Sequence, residues 1–304
     1  MPPGNWPVTA PDHDLRGTRG AEPAIEPETS SVDFAIRVAR RAMADLIIPG
    51  TVRQRLENAI RLVENHDVLF DTWNLRSIDP HRQGVAVNLY GPPGTGKTLA
   101  AEAIAAHLGR PFIDVNYAEI ESRYVGDTPK NIVRCFAAAR DARAVLVFNE
   151  ADSILGARLS SVTQSADHSV NVSRAVMLTQ LDDFAGTVVF TSNFPKNYDT
   201  AFVRRILAHV RFDLPDVATR RRLWEKLLPA ELPGAADIDL DRLADVSAGL
   251  AGGDLVNVVL AAAGRAVSRP EPERSVRLEE MLDEIALVQS AKADVGQGPE
   301  LGHG

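Results

Sequence analysis

A five-stranded parallel sheet flanked by helices, followed by a small all-helical region, is the α/β fold class that this sequence predicts. Three observations carry it. Short apolar strand candidates recur at 85–90, 111–116, 144–148, 186–191 and 210–213, and most are separated by helical stretches of a dozen residues or more. The run at 144–148 is continuously apolar, the pattern of a strand buried on both faces. From Pro215 onward no strand candidate remains, only helical patterns at 218–228, 239–246, 253–267 and 276–288.

Taken in order, residues 1–30 hold six prolines, three glycines and few large apolar side chains, and read as a disordered leader. From Ser31 the character changes. Val32, Phe34, Ala35, Val38, Ala39, Ala42 and Met43 recur at helical spacing, so a helix is expected there, broken by Leu46-Ile47-Ile48-Pro49-Gly50. A second helix is expected over 51–69, with Ile60, Leu62, Val63 and Leu69 packed toward the sheet. The predicted organisation is therefore a leader at 1–30, N-terminal helices and an α/β domain at 31–214, a helical domain at 215–292 and a glycine-rich tail at 293–304.

Composition narrows the function classes. With 304 residues, the chain is long enough to bury roughly three quarters of its unfolded surface as one large or two small domains. Thirty-three basic residues against 41 acidic ones leave a net charge of −8, which argues against a surface that coats nucleic acid. The single cysteine, Cys135, sits in a helical pattern and is expected to be a small core residue, and a disulfide within the chain is excluded. No run approaches the 18 apolar residues a membrane span needs, and the N-terminus lacks a basic-then-apolar signal pattern, so a cytoplasmic protein is expected.

The chemistry concentrates between the first and second strand candidates. Gly91-Pro92-Pro93-Gly94-Thr95-Gly96-Lys97-Thr98 fills the pattern G-x-x-x-x-G-K-[ST], with a β-rich run before it and a strong helix-forming run, 99–108, closed by Gly109, after it. Strand, glycine loop and helix in that order make a phosphate cradle of the P-loop type. The glycines let successive backbone N–H groups face phosphate oxygens. Lys97 brings a positive charge to the β and γ positions, Thr98 offers a hydroxyl to magnesium, and the helix adds its positive end.

Further along, Phe148-Asn149-Glu150-Ala151-Asp152 closes the apolar strand, Thr191-Ser192-Asn193 closes the next, and Arg204-Arg205 precede Phe212-Asp213-Leu214-Pro215. Together with the turn Gly249-Leu250-Ala251-Gly252-Gly253-Asp254-Leu255, these segments resemble the AAA+ ATPases, specifically their katanin- and spastin-like clade, over about residues 45–270. The resemblance implies a P-loop NTPase that binds ATP and magnesium. Glu150 then orients or deprotonates the attacking water, Asn193 is the polar sensor, and Arg205, beside Arg204, is an arginine finger reaching a neighbouring subunit. Lys97, Glu150, Asn193 and Arg205 form the implied catalytic set. Gly91 to Thr98, Leu99, Ile48 and Gly253 form the implied nucleotide contacts. Thr98 and Asn149 are implied at the metal, the latter through water. The finger also implies a ring oligomer, of six subunits in the family.

Two positions depart from the family pattern. Asn149 stands where the family carries aspartate, which removes a charge beside the metal; weakened magnesium binding and slow turnover are expected, with partial electrostatic compensation from Asp152. Ala208 stands where many relatives carry a second finger arginine, leaving Arg205 as the expected trans-acting group.

The segment Glu121-Ser122-Arg123-Tyr124-Val125-Gly126-Asp127 resembles the first pore loop of the same clade, in which an aromatic, an apolar residue and glycine grip an extended polypeptide. The polar stretch 156–171 is a candidate second pore loop. An ATP-driven remodeller of a protein client is thus the leading expectation. Its alternatives are a nucleic-acid motor or loader, and a nucleotide-dependent assembly scaffold with little hydrolysis.

Overall fold

The computed structural model describes residues 34–120, 127–156, 165–193 and 198–295, with the side chains of 118, 119 and 165–169 excluded. The expected leader, Tyr124, Val125 and Gly126 of the first pore loop, and residues 157–164 of the second lie outside the described residues.

The elements follow one another as β1 (Ile36–Arg37), α1 (Gly50–Glu64), β2 (Val85–Tyr90), α2 (Lys97–His107), β3 (Phe112–Asn116), α3 (Tyr117–Ile120), α4 (Asp127–Ala142) and β4 (Val145–Asn149). Then come α5 (Asp152–Leu155), α6 (Ser165–Asp183), β5 (Thr187–Ser192), α7 (Thr200–Arg205) and β6 (Ile206–Arg211), and finally α8 (Val217–Leu227), α9 (Leu240–Val246), α10 (Gly252–Val267) and α11 (Leu278–Asp294). The sheet has six strands in the order β1-β3-β4-β5-β2-β6. Five are mutually parallel, and β1 adds antiparallel to the β3 edge through the pairs Ile36↔Ile113 and Arg37↔Phe112.

Alternate residues of each central strand feed two different cores. Val85, Val87 and Leu89 of β2, Val145 and Val147 of β4 and Val189 of β5 pack with α1 and α2 on one face. Ala86, Leu146, Phe148, Val188 and Phe190 pack with α4 and α6 on the other, where Phe136, Phe148 and Phe190 form a ring contact series. A strand that contributes to a core on each side has no polar face to keep, which is why 144–148 reads as unbroken apolar sequence. Cys135 is fully buried in the second of these cores, and burial pushes its thiol pKa up.

Three expectations need correction. The helix expected from residues 32 to 43 is absent from the described part of that stretch, where β1 and extended backbone run instead and the only helical turn is a 3-10 turn at Met43–Asp45. Ile36 and Val38 point outward at 58% and 78% exposure, so the apolar spacing does not define a buried helical face; the exposed backbone edge of β3 captures this β-branched segment. The last strand begins earlier than expected, at Ile206, because its pairing with β2 from Ala86 to Tyr90 requires the whole run. The stretch 156–171 is helical from Ser165 onward, as the start of α6.

Beyond Pro215 a third apolar cluster, built on Trp224, Leu243, Leu255, Val258, Met281 and Ile285, is separate from the two sheet cores. Trp224 Nε1 donates to Ser247 Oγ at 3.1 Å, and Arg220 donates to the carbonyls of Ala244 and Pro215, so the polar atoms of α8 that enter this core are partnered.

Candidate nucleotide site

The turn after β2 is built on backbone conformations that only glycine adopts cheaply. Gly91, Gly94 and Gly96 have φ of 144°, 75° and 96°. A Cβ at Gly91 would stand 2.1 Å from the Phe212 carbonyl oxygen, and one at Gly94 would press on Ala251 and Gly253. Gly96 is the N-cap of α2, so the first N–H groups of that helix open onto the loop.

Lys97 is buried, and its ammonium donates to the carbonyls of Gly91 and Pro92, both at 2.8 Å. Burial lowers its pKa from the ordinary lysine value to about 8, only partly offset by the negative charge of Asp152. Thr95 Oγ1 donates to the Pro92 carbonyl at 2.8 Å and stiffens the loop.

Across from Thr98 stands the end of β4. Thr98 Oγ1 donates to Asn149 Oδ1 at 3.2 Å, and Thr191 Oγ1 on β5 donates to the same oxygen at 2.8 Å. The next residue, Glu150, takes a left-handed φ of 53°, a conformation uncommon for a side chain of this kind, and its exposed side chain lines the cleft. The Ala151 N–H donates to the Thr191 carbonyl at 2.9 Å, tying this turn to β5. The Asp152 carboxylate accepts from Ser192 Oγ at 2.7 Å and from the Asn193 N–H at 3.1 Å.

These parts enclose a cleft of about 980 Å³ at the C-terminal ends of the parallel strands. Of the residues expected there, Ile48, Pro93, Gly94, Thr95, Gly96, Lys97, Thr98, Leu99, Asn149, Glu150, Asn193 and Gly253 all line it. Gly91 and Pro92 lie beneath, as the carbonyl partners of Lys97. The segment leading to Ile48 is held by Arg53, whose guanidinium donates to the carbonyls of Met43 and Leu46. The helical region closes the other wall: the Gly253 N–H donates to the Gly94 carbonyl at 3.1 Å, and Leu223, Lys226 and Val256 add side chains that sequence reasoning missed. Sequence reasoning also missed Thr191 and Asp114; a charged residue between Ile113 and Val115 in a buried strand was the available signal for the latter.

Arg205 is not among the cleft residues. Its guanidinium forms a two-point pair with Asp182, both contacts at 2.8 Å, and lines a separate cavity of about 240 Å³ with Arg82, Arg204, Asp79 and His81. That cavity lies at the N-terminal end of β2, beside Gly84 and Val85, roughly 20 Å of strand away from the phosphate loop.

The donor set of the cleft suits a nucleotide with a hard divalent cation. It offers inward backbone N–H groups at a helix N-terminus and a lysine ammonium for phosphate, with hydroxyl and amide oxygens for the cation. Among the described residues no cluster of three or more His, Cys, Asp and Glu side chains could hold a metal unaided, so phosphate oxygens would have to complete a magnesium site.

Comparison with known proteins identifies the family. Residues 87–214 match the family described as ATPase family associated with various cellular activities (AAA). Spastin of Drosophila grimshawi is 30% identical over 265 residues, covering 84% of this chain and 30% of that protein. Cell division cycle protein 48 homolog of Archaeoglobus fulgidus is 30% identical over 255 residues, covering 81% of this chain and 34% of that protein. The chain thus spans about a third of the length of these curated relatives. Among solved structures, the crystal structure of the FIGL-1 AAA domain shares the fold, with a TM-score of 0.68 at 21% identity over 91% of this chain and 96% of that one. With its phosphate loop, its sheet and the matched segment in one place, the chain belongs to the AAA family of ATPases, on the spastin-like side of that family.

Proposed function

We propose that the cleft binds ATP with magnesium and hydrolyses it at a subunit boundary of a ring, and that the cycle remodels a polypeptide client in the cytoplasm. The observation that supports this most directly is the division of the implied catalytic groups between two places. Lys97, Glu150 and Asn193 line one cleft, whereas Arg205 stands at the far end of β2. An arginine so placed cannot serve its own nucleotide, but it suits one bound by an adjacent copy.

In this reading Lys97 neutralises the β and γ phosphates, and Thr98, with Asn149 behind it, would hold a magnesium ion, which would supply charge neutralisation at the phosphate oxygens. Glu150 orients and deprotonates the attacking water, and its left-handed backbone carries the carboxylate out of the strand into the cleft. Asn193, its N–H fixed by Asp152, holds the polar position opposite. The close approach of Gly253 to Gly94 couples the helical region to the loop that would change its contacts as phosphate leaves. Six subunits are what the family resemblance implies.

The test is ATP turnover by the full chain with and without an unfolded polypeptide. The expected result is stimulation by the polypeptide that Tyr124→Ala removes; stimulation by DNA instead would sink the remodeller in favour of a nucleic-acid motor. Nucleotide-driven assembly without measurable turnover would favour the scaffold.

A further inference from the structure

The cleft contains a carboxylate in direct contact with Asn149. Asp114 lies on β3, one strand over from Asn149, and lines the cleft. Its Oδ1 accepts a hydrogen bond of 2.5 Å from Asn149 Nδ2, and its Oδ2 accepts one of 3.1 Å from Arg37 Nη1 on β1.

This contact settles which way the amide points. A carboxylate has no proton to give, so the NH₂ end of Asn149 must face Asp114 and the oxygen must face Thr98 and Thr191. Both hydroxyls donate to that oxygen. With its proton so committed, the Thr98 hydroxyl keeps its lone pairs for a cation.

Charge makes the same point. Thr98 and Asn149 bring oxygens but no negative charge to a divalent ion. Asp45 is engaged by the Ala42 N–H, Asp213 by Arg55 and Arg211, and Asp152 by Ser192 and Asn193, and Glu150 is the group assigned to the attacking water. Asp114 is itself paired with Arg37, but through Oδ2, while its Oδ1 takes the Asn149 amide. Of the carboxylates around the cleft, Asp114 is the one that a described hydrogen bond joins to Asn149.

We propose that Asp114 supplies the anionic charge of the magnesium site and holds the Asn149 amide so that its oxygen fixes the Thr98 hydroxyl with its lone pairs free for the ion; the carboxylate that Asn149 lacks stands instead on the neighbouring strand. The inference rests on the reading of the cleft as a Mg·ATP site. It also replaces Asp152 as the source of compensation for Asn149.

The experiment is calorimetric titration of the full chain with the β,γ-imido analogue of ATP, with and without Mg²⁺, so that the readout is metal-dependent binding rather than turnover. In the unmodified chain Mg²⁺ tightens binding. In Asp114→Asn that tightening falls by about tenfold or more, and in the exchanged pair Asp114→Asn with Asn149→Asp it returns. The single change Asn149→Asp sets two carboxylates against each other and does not improve on the unmodified chain. An unchanged Mg²⁺ response in Asp114→Asn, or a loss that the exchanged pair fails to restore, overturns the inference. An unmodified chain that binds no nucleotide overturns the proposed function as well, which keeps the two failures distinct.

Discussion

The cleft after β2 and the cavity at the other end of that strand are built in opposite ways. In the cleft, cationic and hydrogen-bonding groups converge on a volume large enough for a nucleotide, and the polar side chains that face it are held by one another: Thr98 and Thr191 on Asn149, Asn149 on Asp114. At the far cavity, three arginines, Arg82, Arg204 and Arg205, meet a volume of about 240 Å³, with Asp79 and Asp182 as local counter-ions. The first arrangement is drawn from one chain. In the second, Arg82 and Arg205 are paired locally, and about a third of the Arg205 and Asp182 side chains remains exposed. In the proposed reading, the difference means that one chain carries two halves of a hydrolytic site that do not meet within it.

The strongest way to break that comparison is to disable each half separately and then mix. Arg205→Ala is expected to lower turnover by on the order of 10³- to 10⁵-fold with nucleotide binding intact, and Glu150→Gln by about 10²- to 10⁴-fold. Equimolar mixtures of the two variants should recover part of the activity, because some boundaries then pair an intact Glu150 with an intact Arg205. Mixtures no more active than either variant alone would show that the halves do not act across subunits.

A smaller effect belongs to the cleft alone. Lys97 has its pKa lowered to about 8 in the folded, ligand-free chain, well below the unfolded value. Between those two values the unfolded chain binds the extra proton, so this lysine makes the ligand-free protein more stable as pH rises from about 8 toward 10.5. Phosphate needs the ammonium form, so nucleotide binding has the opposite sign: affinity for metal-free ADP should fall by about fivefold between pH 8 and pH 9. Isothermal titration would show it, and an arginine at position 97 should flatten the profile, since its guanidinium keeps its charge throughout.

The smallest expected effect sharpens the far cavity. The Arg205–Asp182 pair is partly exposed, so Asp182→Asn should change stability by less than about 1 kcal/mol. Turnover should nevertheless drop severalfold if Asp182 aims Arg205 at an adjacent subunit. Chemical denaturation alongside turnover separates the two, and a stability loss that accounts for the whole change in turnover would count against an aiming role.

The legible part of this protein is the part whose chemistry is contiguous. The five parallel strands announced themselves as short apolar runs because both faces of the sheet are buried, and the phosphate loop did so because its glycines, lysine and threonine sit within eight consecutive positions. The stretch before Gly50 was misread as a helix because its apolar spacing fits a helical period as well as it fits a partly exposed edge strand, and only the open edge of β3 distinguishes them. Asp114 was passed over because nothing in Ile113-Asp114-Val115 says what the carboxylate will face. Likewise Asn149 read as a charge lost, and the sequence around it gives no sign that the charge stands one strand away.

By itself the sequence determined the phosphate-loop motif and the alternation of strands and helices, and it singled out Glu150, Asn193 and Arg205 as candidates, since each of these depends on neighbours along the chain. Tertiary structure alone decided the partners of those residues: Asn149 with Asp114 across 35 positions, Arg205 with Asp182 across 23, and Gly253 against Gly94. The reason is physical. Parallel strands are joined through crossover helices, so which residues face each other is fixed by the sheet order and by the two apolar faces it must bury, and that information is spread over the whole core rather than written beside any one residue.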